Sequence, residues 1–199
     1  MREASHLLIP VKSLRLGKGR LAPALNAAER LHLNRYLLRR TLSIAASFPG
    51  LDRTVVVSDA DDTLSQALSH GGITIRSKHA SLNAAVAEGR DALLRRGISR
   101  IIVLPVDLPL LESDDVREID QLSDDPSVII CPNHNGTGTN AIAISGTLPL
   151  AFRFGADSYR AHQEEVRASG IEPLLHCNQR IAQDIDLPAD LDLLKAVPI

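Results

Sequence analysis

Four stretches of this chain carry side chains that could do chemistry. After the apolar run Leu7–Val11, the residues Lys12, Arg15, Lys18 and Arg20 place four cations within nine positions, interleaved with Gly17 and Gly19. Lys and Arg donors on a loop where glycine permits close backbone approach suit a chain of phosphoryl groups. The spacing matches neither Gly-x-x-x-x-Gly-Lys-Ser/Thr nor Gly-x-Gly-x-x-Gly, and a solvated Lys/Arg-rich loop explains the same composition. In the second stretch, Val103-Leu104-Pro105-Val106-Asp107, an apolar run ends at a carboxylate where a divalent cation could be held. An Asp in that position is also a common turn or cap residue.

The third stretch is Asp184-Ile185-Asp186. Read as part of a strand Ile181–Ile185, its alternation puts both carboxylates on one side and Ile185 on the other. Two like charges so placed repel unless a cation or proton lies between them. With Asp107 they could form a three-carboxylate site for one or two Mg²⁺ ions; the alternative for Asp186 is a cap for a helix starting near Pro188, whose first turn Asp190 serves. The fourth comprises Gly136-Thr137-Gly138-Thr139-Asn140 and Phe154-Gly155-Ala156-Asp157-Ser158. Backbone N–H groups, hydroxyls and a helix beginning at Ser158 describe an anion pocket, with Arg153, Arg160 and His162 as nearby cations that could face a carboxylate or phosphate. His162 reads as a surface residue, and Ser158 can equally serve as a plain helix cap.

Strands and helices must bring these stretches together. Aliphatic runs at Leu7–Val11, Thr54–Ser58, Ile73–Arg76, Arg100–Val106, Ser127–Cys131, Ala141–Ser145 and Ile181–Ile185 read as strands. Asn26 with Glu29 three residues on is a capping-box pattern that starts a helix carrying Leu31, Leu38, Leu42 and Ala45. Further helices are expected over Asp62–His70, Ser81–Arg96 and Ser158–Ser169, each stopped by a glycine. The alternation predicts an α/β fold, a mostly parallel sheet with helices on both faces in three layers, as a single domain over residues 1–199. Ligands of such sheets sit at the carboxyl ends of strands, where Lys12 and Asp107 fall.

Composition narrows the function. With 22 Lys+Arg against 24 Asp+Glu the net charge is −2, without the positive field of a nonspecific nucleic-acid binder. Aromatic residues are 3% and Trp is absent, so no base-stacking platform is available. Cys131 and Cys177 are too few for a disulfide framework, and no apolar stretch is long enough for a membrane span; a cytoplasmic protein with no nucleic-acid or membrane partner is expected. Among Cys131, His134, His176 and Cys177, the adjacent pair projects to opposite sides of an extended chain, a poor start for zinc. Neither Gly-x-Ser-x-Gly nor a paired Cys and His supports covalent acyl chemistry.

The motifs occur in a recognisable order: Lys12…Lys18-x-Arg20-Leu21, Ser81-Leu82-Asn83-Ala84-Ala85, Pro105-Val106-Asp107-Leu108-Pro109, Gly138-Thr139-Asn140, Phe154-Gly-x-x-Ser158-Tyr-x-x-His162 and Asp184-Ile-Asp186-x-Pro-x-Asp190-Leu191. This series resembles the 2-phospho-L-lactate guanylyltransferase family, over nearly the whole chain. The resemblance implies a glycosyltransferase-A-like nucleotidyltransferase fold and a step in coenzyme F-420 assembly. There GTP is joined to 2-phospho-L-lactate, phosphoenolpyruvate or 3-phospho-D-glycerate and pyrophosphate is released. It implies that Lys12, Lys18 and Arg20 meet the GTP phosphates, that Ser81 and Asn83 lie near the nucleoside, and that Asp107, Asp184 and Asp186 hold Mg²⁺. Thr139 or Asn140, Gly155 and Ser158 would bind the acid. Ser13, Leu187 and Asn140 depart from residues common in the family, and only Asn140 touches the acid pocket. Another nucleotidyltransferase of the same fold, acting on a sugar phosphate or a molybdenum-cofactor precursor, and a non-catalytic nucleotide-binding domain are the competing readings. A homodimer is left open.

Overall fold

The computed structural model describes residues 4–123 and 127–196. Its strands form one seven-stranded sheet: β1 (His6–Pro10), β2 (Thr54–Ser58), β3 (Ile73–Arg76), β4 (Arg100–Val103), β5 (Ser127–Pro132), β6 (Thr139–Ser145) and β7 (Leu174–Leu175). The helices are α1 (Ala27–Ser47), α2 (Asp61–Ser69), α3 (Leu82–Leu94), α4 (Ser113–Leu122) and α5 (Ser158–Ala168). The strand order is β3-β2-β1-β4-β6-β5-β7.

Period-two alternation sorts the strands' side chains onto two cores. Leu7, Ile9, Ile102, Ile129 and Cys131 pack with Leu38 and Leu42 of α1 and Val116 and Ile119 of α4. Leu8, Ile101, Val103, Val128 and Ile130 point the other way, against Val86 and Leu93 of α3 and Val166 of α5. Both faces of the sheet are therefore dry, which is why the strands read as continuous aliphatic runs. A fully buried Leu or Ile contributes roughly 1.5–3 kcal/mol, so this sandwich supplies a rigid frame for the loops at its carboxyl edge.

The expected α1 starts as its residues dictate. Asn26 Oδ1 accepts the N–H groups of Ala28 and Glu29 at 2.9 and 3.0 Å, and Glu29 Oε2 accepts that of Asn26 at 2.7 Å. The sheet is mixed. The β1–β2, β2–β3, β1–β4 and β5–β7 pairs are parallel, but β6 runs antiparallel to both β4 and β5. The short turn between β5 and β6 allows only that direction. β4 stops at Val103 rather than continuing to Val106, and Pro105, lacking an N–H, cannot extend a ladder. Ile181–Ile185 is not a strand: the short β7 takes the place beside β5.

Helix α4 was not anticipated. Its signal is the pair Val116 and Ile119, three residues apart, and its start is closed by Asp115, whose Oδ2 accepts the Glu112 N–H at 2.8 Å. Gly89 lets α3 lie close on the sheet, since a Cβ there would stand 2.6 Å from Leu8 Cδ1.

Candidate active site

The carboxyl ends of β1 and β4 open into a cavity of about 620 Å³ lined by Lys12, Arg20, Asp107, Thr139, Asn140, Gly155, Ser158, Asp184 and Asp186. An adjoining recess of about 220 Å³ shares Lys12, Asp107 and Asp186 and adds Lys18. The second, third and fourth stretches meet here through Asp107, through Asp184 and Asp186, and through Thr139, Asn140, Gly155 and Ser158, and the basic loop arrives through Lys12, Lys18 and Arg20.

Lys18 sits at the centre of the charge pattern. Its backbone is left-handed, with φ 58°, a conformation costing a non-glycine residue roughly 1–2 kcal/mol. The side chain is 9% exposed and its Nζ lies 2.8 Å from Asp107 Oδ2 and 3.8 Å from Asp186 Oδ1; it also donates to the carbonyl of Ile185. Arg20, far more exposed, donates to Asp186 Oδ2 at 2.7 Å. Lys12 forms no ion pair among the described residues and projects at the mouth, where an arriving anion would find it. Arg15 stands off at 4.0 Å from Asp62 and does not line the cavity.

The three aspartates reach one cavity by a different route from the one their alternation suggests. Asp184–Asp186 follows a turn and is irregular, held by the Ile185 N–H on the carbonyl of Asp107 at 3.0 Å. Ile185 is buried with Leu21, Leu33 and Leu37, so the two carboxylates still face away from it. Asp186 does not cap the turn of 3-10 helix at Pro188–Ala196. Asp190 does, accepting the N–H groups of Asp186 and Leu187 at 2.8 and 2.6 Å, which leaves the Asp186 carboxylate for Lys18 and Arg20. Burial, then the charges of Asp107 and Asp186, hold the Asp184 carboxyl above its usual range, against a lowering hydrogen bond from Asn140 at 3.2 Å. Among the described residues no group of three Asp, Glu, His or Cys is spaced to ligate a metal ion. The three-aspartate cage expected from the sequence is therefore not formed by the chain alone: the ammonium of Lys18 lies where two of its members converge.

The far wall is built by α5 and the β5–β6 turn. Asn133 Oδ1 accepts the N–H groups of Thr137 and Gly138 at 3.0 and 2.9 Å, shaping the Gly-Thr loop; an Asn in a Gly-containing turn was the signal that could have found it. Ser158 does not cap α5. Asp157, at φ 55°, occupies that position, and Ser158 Oγ instead accepts the Thr139 N–H at 2.9 Å. His162 is buried completely, contrary to its expected surface position, because α5 turns this residue onto β6 and against Phe154, ring centroids 4.8 Å apart. Arg153 and Arg160 do not enter the cavity: they pair with Glu165 and with Asp157 and Glu164 on the surface of α5.

The expected nucleoside residues separate. Ser81 is exposed at the start of α3 and borders a narrow cleft with Lys12, Asp59 and His79. Asn83 is taken up by the backbone of Phe154, donating to its carbonyl at 3.0 Å and accepting its N–H at 2.8 Å. It fixes the loop that carries Gly155 rather than facing the cleft.

The family model described as "Guanylyl transferase CofC like" matches residues 5–195. The chain belongs to this family. Within the CofC-like guanylyl transferases it is similar to the phosphoenolpyruvate guanylyltransferase of Rubrobacter xylanophilus, 34% identical over 95% of this chain and 92% of that one. It is also similar to that of Sphaerobacter thermophilus, 32% identical over 94% and 90%. The fold is shared with a nucleotidyl transferase from Methanothermobacter thermautotroptrophicus, with a TM-score of 0.68, 16% identity and 98% of both chains covered. It is likewise shared with a CMP:2-keto-3-deoxy-manno-octonic acid synthetase complexed with CTP, with a TM-score of 0.62 and 15% identity over 98% of both. This CofC-like chain is thus a nucleotidyltransferase on the expected fold. Its described helices include none long and apolar enough to cross a membrane.

Proposed function

We propose that this protein transfers the guanylyl group of GTP to phosphoenolpyruvate, releasing pyrophosphate, as a cytoplasmic step in the assembly of coenzyme F-420. The observation that carries the reading is the cavity and its adjoining recess, which together bring Lys12, Lys18 and Arg20, the three aspartates, and the Thr139, Gly155 and Ser158 loops to one strand edge. The choice of acid follows the relatives named as phosphoenolpyruvate guanylyltransferases at 34% and 32% identity.

The chemistry needs no general base. A phosphate monoester with a second pKa near 6 is mostly dianionic at neutral pH. One of its oxygens attacks the α-phosphorus of GTP, the new phosphoanhydride bond forms, and the bond to the β-phosphate oxygen breaks with its electron pair leaving on pyrophosphate. No proton or water is consumed. What the protein must supply is alignment and charge, because two unit charges about 4 Å apart at an effective dielectric of 20 repel by roughly 4 kcal/mol. Lys12 and Arg20 at the mouth and Lys18 beneath them neutralise the triphosphate. The hydroxyls of Thr139 and Ser158 and the backbone at Gly155, whose φ of 133° needs glycine, receive the acid. The nucleoside lies along the cleft bordered by Ser81.

Asp107, Asp184 and Asp186 fit a hard divalent cation by the chemistry of their donors, carboxylate oxygens lining one cavity. Mg²⁺ is commonly held by one or two carboxylates together with substrate phosphates, which accords with a carboxylate set that is not a complete cage by itself. Bound there, Mg²⁺ would supply charge neutralisation to the triphosphate.

The test is a screen of GTP, ATP, CTP and UTP against phosphoenolpyruvate, 2-phospho-L-lactate, 3-phospho-D-glycerate and sugar 1-phosphates. Pyrophosphate is measured and the product identified by mass. GTP with phosphoenolpyruvate should be fastest; preference for CTP with a sugar phosphate overturns the proposal.

A further inference from the structure

The buried ring of His162 is left without a task by the reaction just described, yet both of its nitrogens are engaged. Nε2 accepts the backbone N–H of Arg153 at 2.9 Å, Nδ1 lies 2.9 Å from Thr139 Oγ1, and the ring also meets the backbone of Ser158. Burial pushes the imidazole pKa down to about 4, so the ring is neutral at pH 7 and carries one proton. A backbone N–H can only donate; Nε2 must therefore be the bare nitrogen and the ring proton sits on Nδ1. Thr139 Oγ1 then cannot donate to the ring. Its own proton is turned away from His162, on a residue that lines the cavity.

We infer that His162 is a positioning residue that sets the direction of the Thr139 hydroxyl proton, presenting it to the phosphorylated acid. Ser158 is set in parallel: its Oγ accepts the Thr139 N–H at 2.9 Å, and its hydroxyl proton is likewise free for the cavity. The pair offers two preoriented donors to an anion, and the oriented hydroxyl costs no reorganisation when the acid arrives. Phe154 packs edge-on against the ring and is itself fixed by Asn83, so the ring cannot turn to exchange its two nitrogens without breaking this chain of contacts. The inference rests on the reading of this cavity as the acid site.

The experiment compares wild type with His162→Asn, His162→Gln and Thr139→Val. The Asn amide nitrogen replaces Nδ1–H and keeps the bond to Thr139; the Gln amide replaces Nε2 and keeps only the bond to Arg153. Expected are a rise of about 10-fold in KM for phosphoenolpyruvate in Thr139→Val and His162→Gln and an unchanged KM for GTP. His162→Asn should lie near wild type, and the double variant Thr139→Val/His162→Gln should be no worse than either single one. Equal behaviour of the Asn and Gln variants, or equal rises in both KM values, overturns the inference. Nitrogen-15 NMR of the ligand-free wild type decides the tautomer without any variant having to fold: a proton on Nδ1 supports the inference and a proton on Nε2 overturns it. Absence of guanylyl transfer to phosphoenolpyruvate in wild type defeats the functional proposal instead, and the tautomer still stands or falls by itself.

Discussion

The ammonium of Lys18 lies 2.8 Å from Asp107 Oδ2, joining a loop after the first strand to the carboxylate after the fourth. The pair is largely shielded on the lysine side and open on the aspartate side, and it draws Asp186 to within 3.8 Å of the same nitrogen. In the free protein Lys18 is thus the counter-ion of the cavity. Replacing it with Met should lower kcat for guanylyl transfer by about 100-fold or more, since on the proposed function a charge that neutralises the triphosphate is lost. Steady-state rates with GTP check this, with Lys18→Arg recovering only part because the planar guanidinium does not reproduce a point charge.

Asp107→Asn should abolish turnover by orders of magnitude while the fold is kept. The side chain faces the cavity and packs nothing in either core, and the amide can still accept from Lys18. Far-ultraviolet circular dichroism and a pyrophosphate assay read the two halves of this expectation; unchanged turnover would remove Asp107 from the mechanism.

Asp184 is held above its usual carboxylate pKa by burial and by two neighbouring negative charges, so its ionisation costs more in the fold than in the unfolded chain. Asp184→Asn removes a charge and retains an oxygen to accept from Asn140. The variant should melt at a higher temperature than wild type in metal-free buffer at pH 7 and lose activity, an exchange of function for stability. A lower melting temperature would contradict the charge surplus.

His162 makes stability depend on acid. Its folded pKa of about 4 lies below the ordinary 6.5, so the unfolded chain binds the proton more readily. Its contribution is fully present above pH 6.5 and is lost as pH falls from 6.5 towards 4, by about 3 kcal/mol at about 1.36 kcal/mol per unit. Denaturant titrations at pH 7 and pH 4.5 should show this loss in wild type and a smaller one in His162→Asn.

Gly89 fixes the distance between α3 and the sheet. With a Cβ only 2.6 Å from Leu8 Cδ1, Gly89→Val should overpack this interface and cost about 1–3 kcal/mol, measured by urea unfolding.

Much of this was legible in the residues. The capping box at Asn26, the glycine stops after α2, α3 and α5, and the aliphatic strands announce an α/β sheet because each is a local device acting within one or two turns of chain. The elements missed were those with weak local signals: α4 begins at an unusual Glu112 cap, and β7 is two residues that exist only because β5 offers them an edge. For the candidate site, Lys12, Lys18, Arg20 and the three aspartates stand out by type and position, and they line the same two adjoining hollows. Contacts between distant segments leave no local signal: Asn83, which the resemblance places near the nucleoside, bonds the backbone of Phe154, 71 residues away. His162 was assigned to the surface and lies in the core.

By itself the amino-acid order determined which side chains are available and that strands, by burying both faces, would deliver loops to one edge. Periodicity and chain stiffness act over a few residues and can be read directly. Only the tertiary structure decided that Lys18 meets Asp107 and Asp186, and that His162 turns inward to lie against Thr139. Those outcomes depend on packing between segments separated by up to 168 positions, as Lys18 and Asp186 are, and no local propensity encodes the angle at which such segments meet.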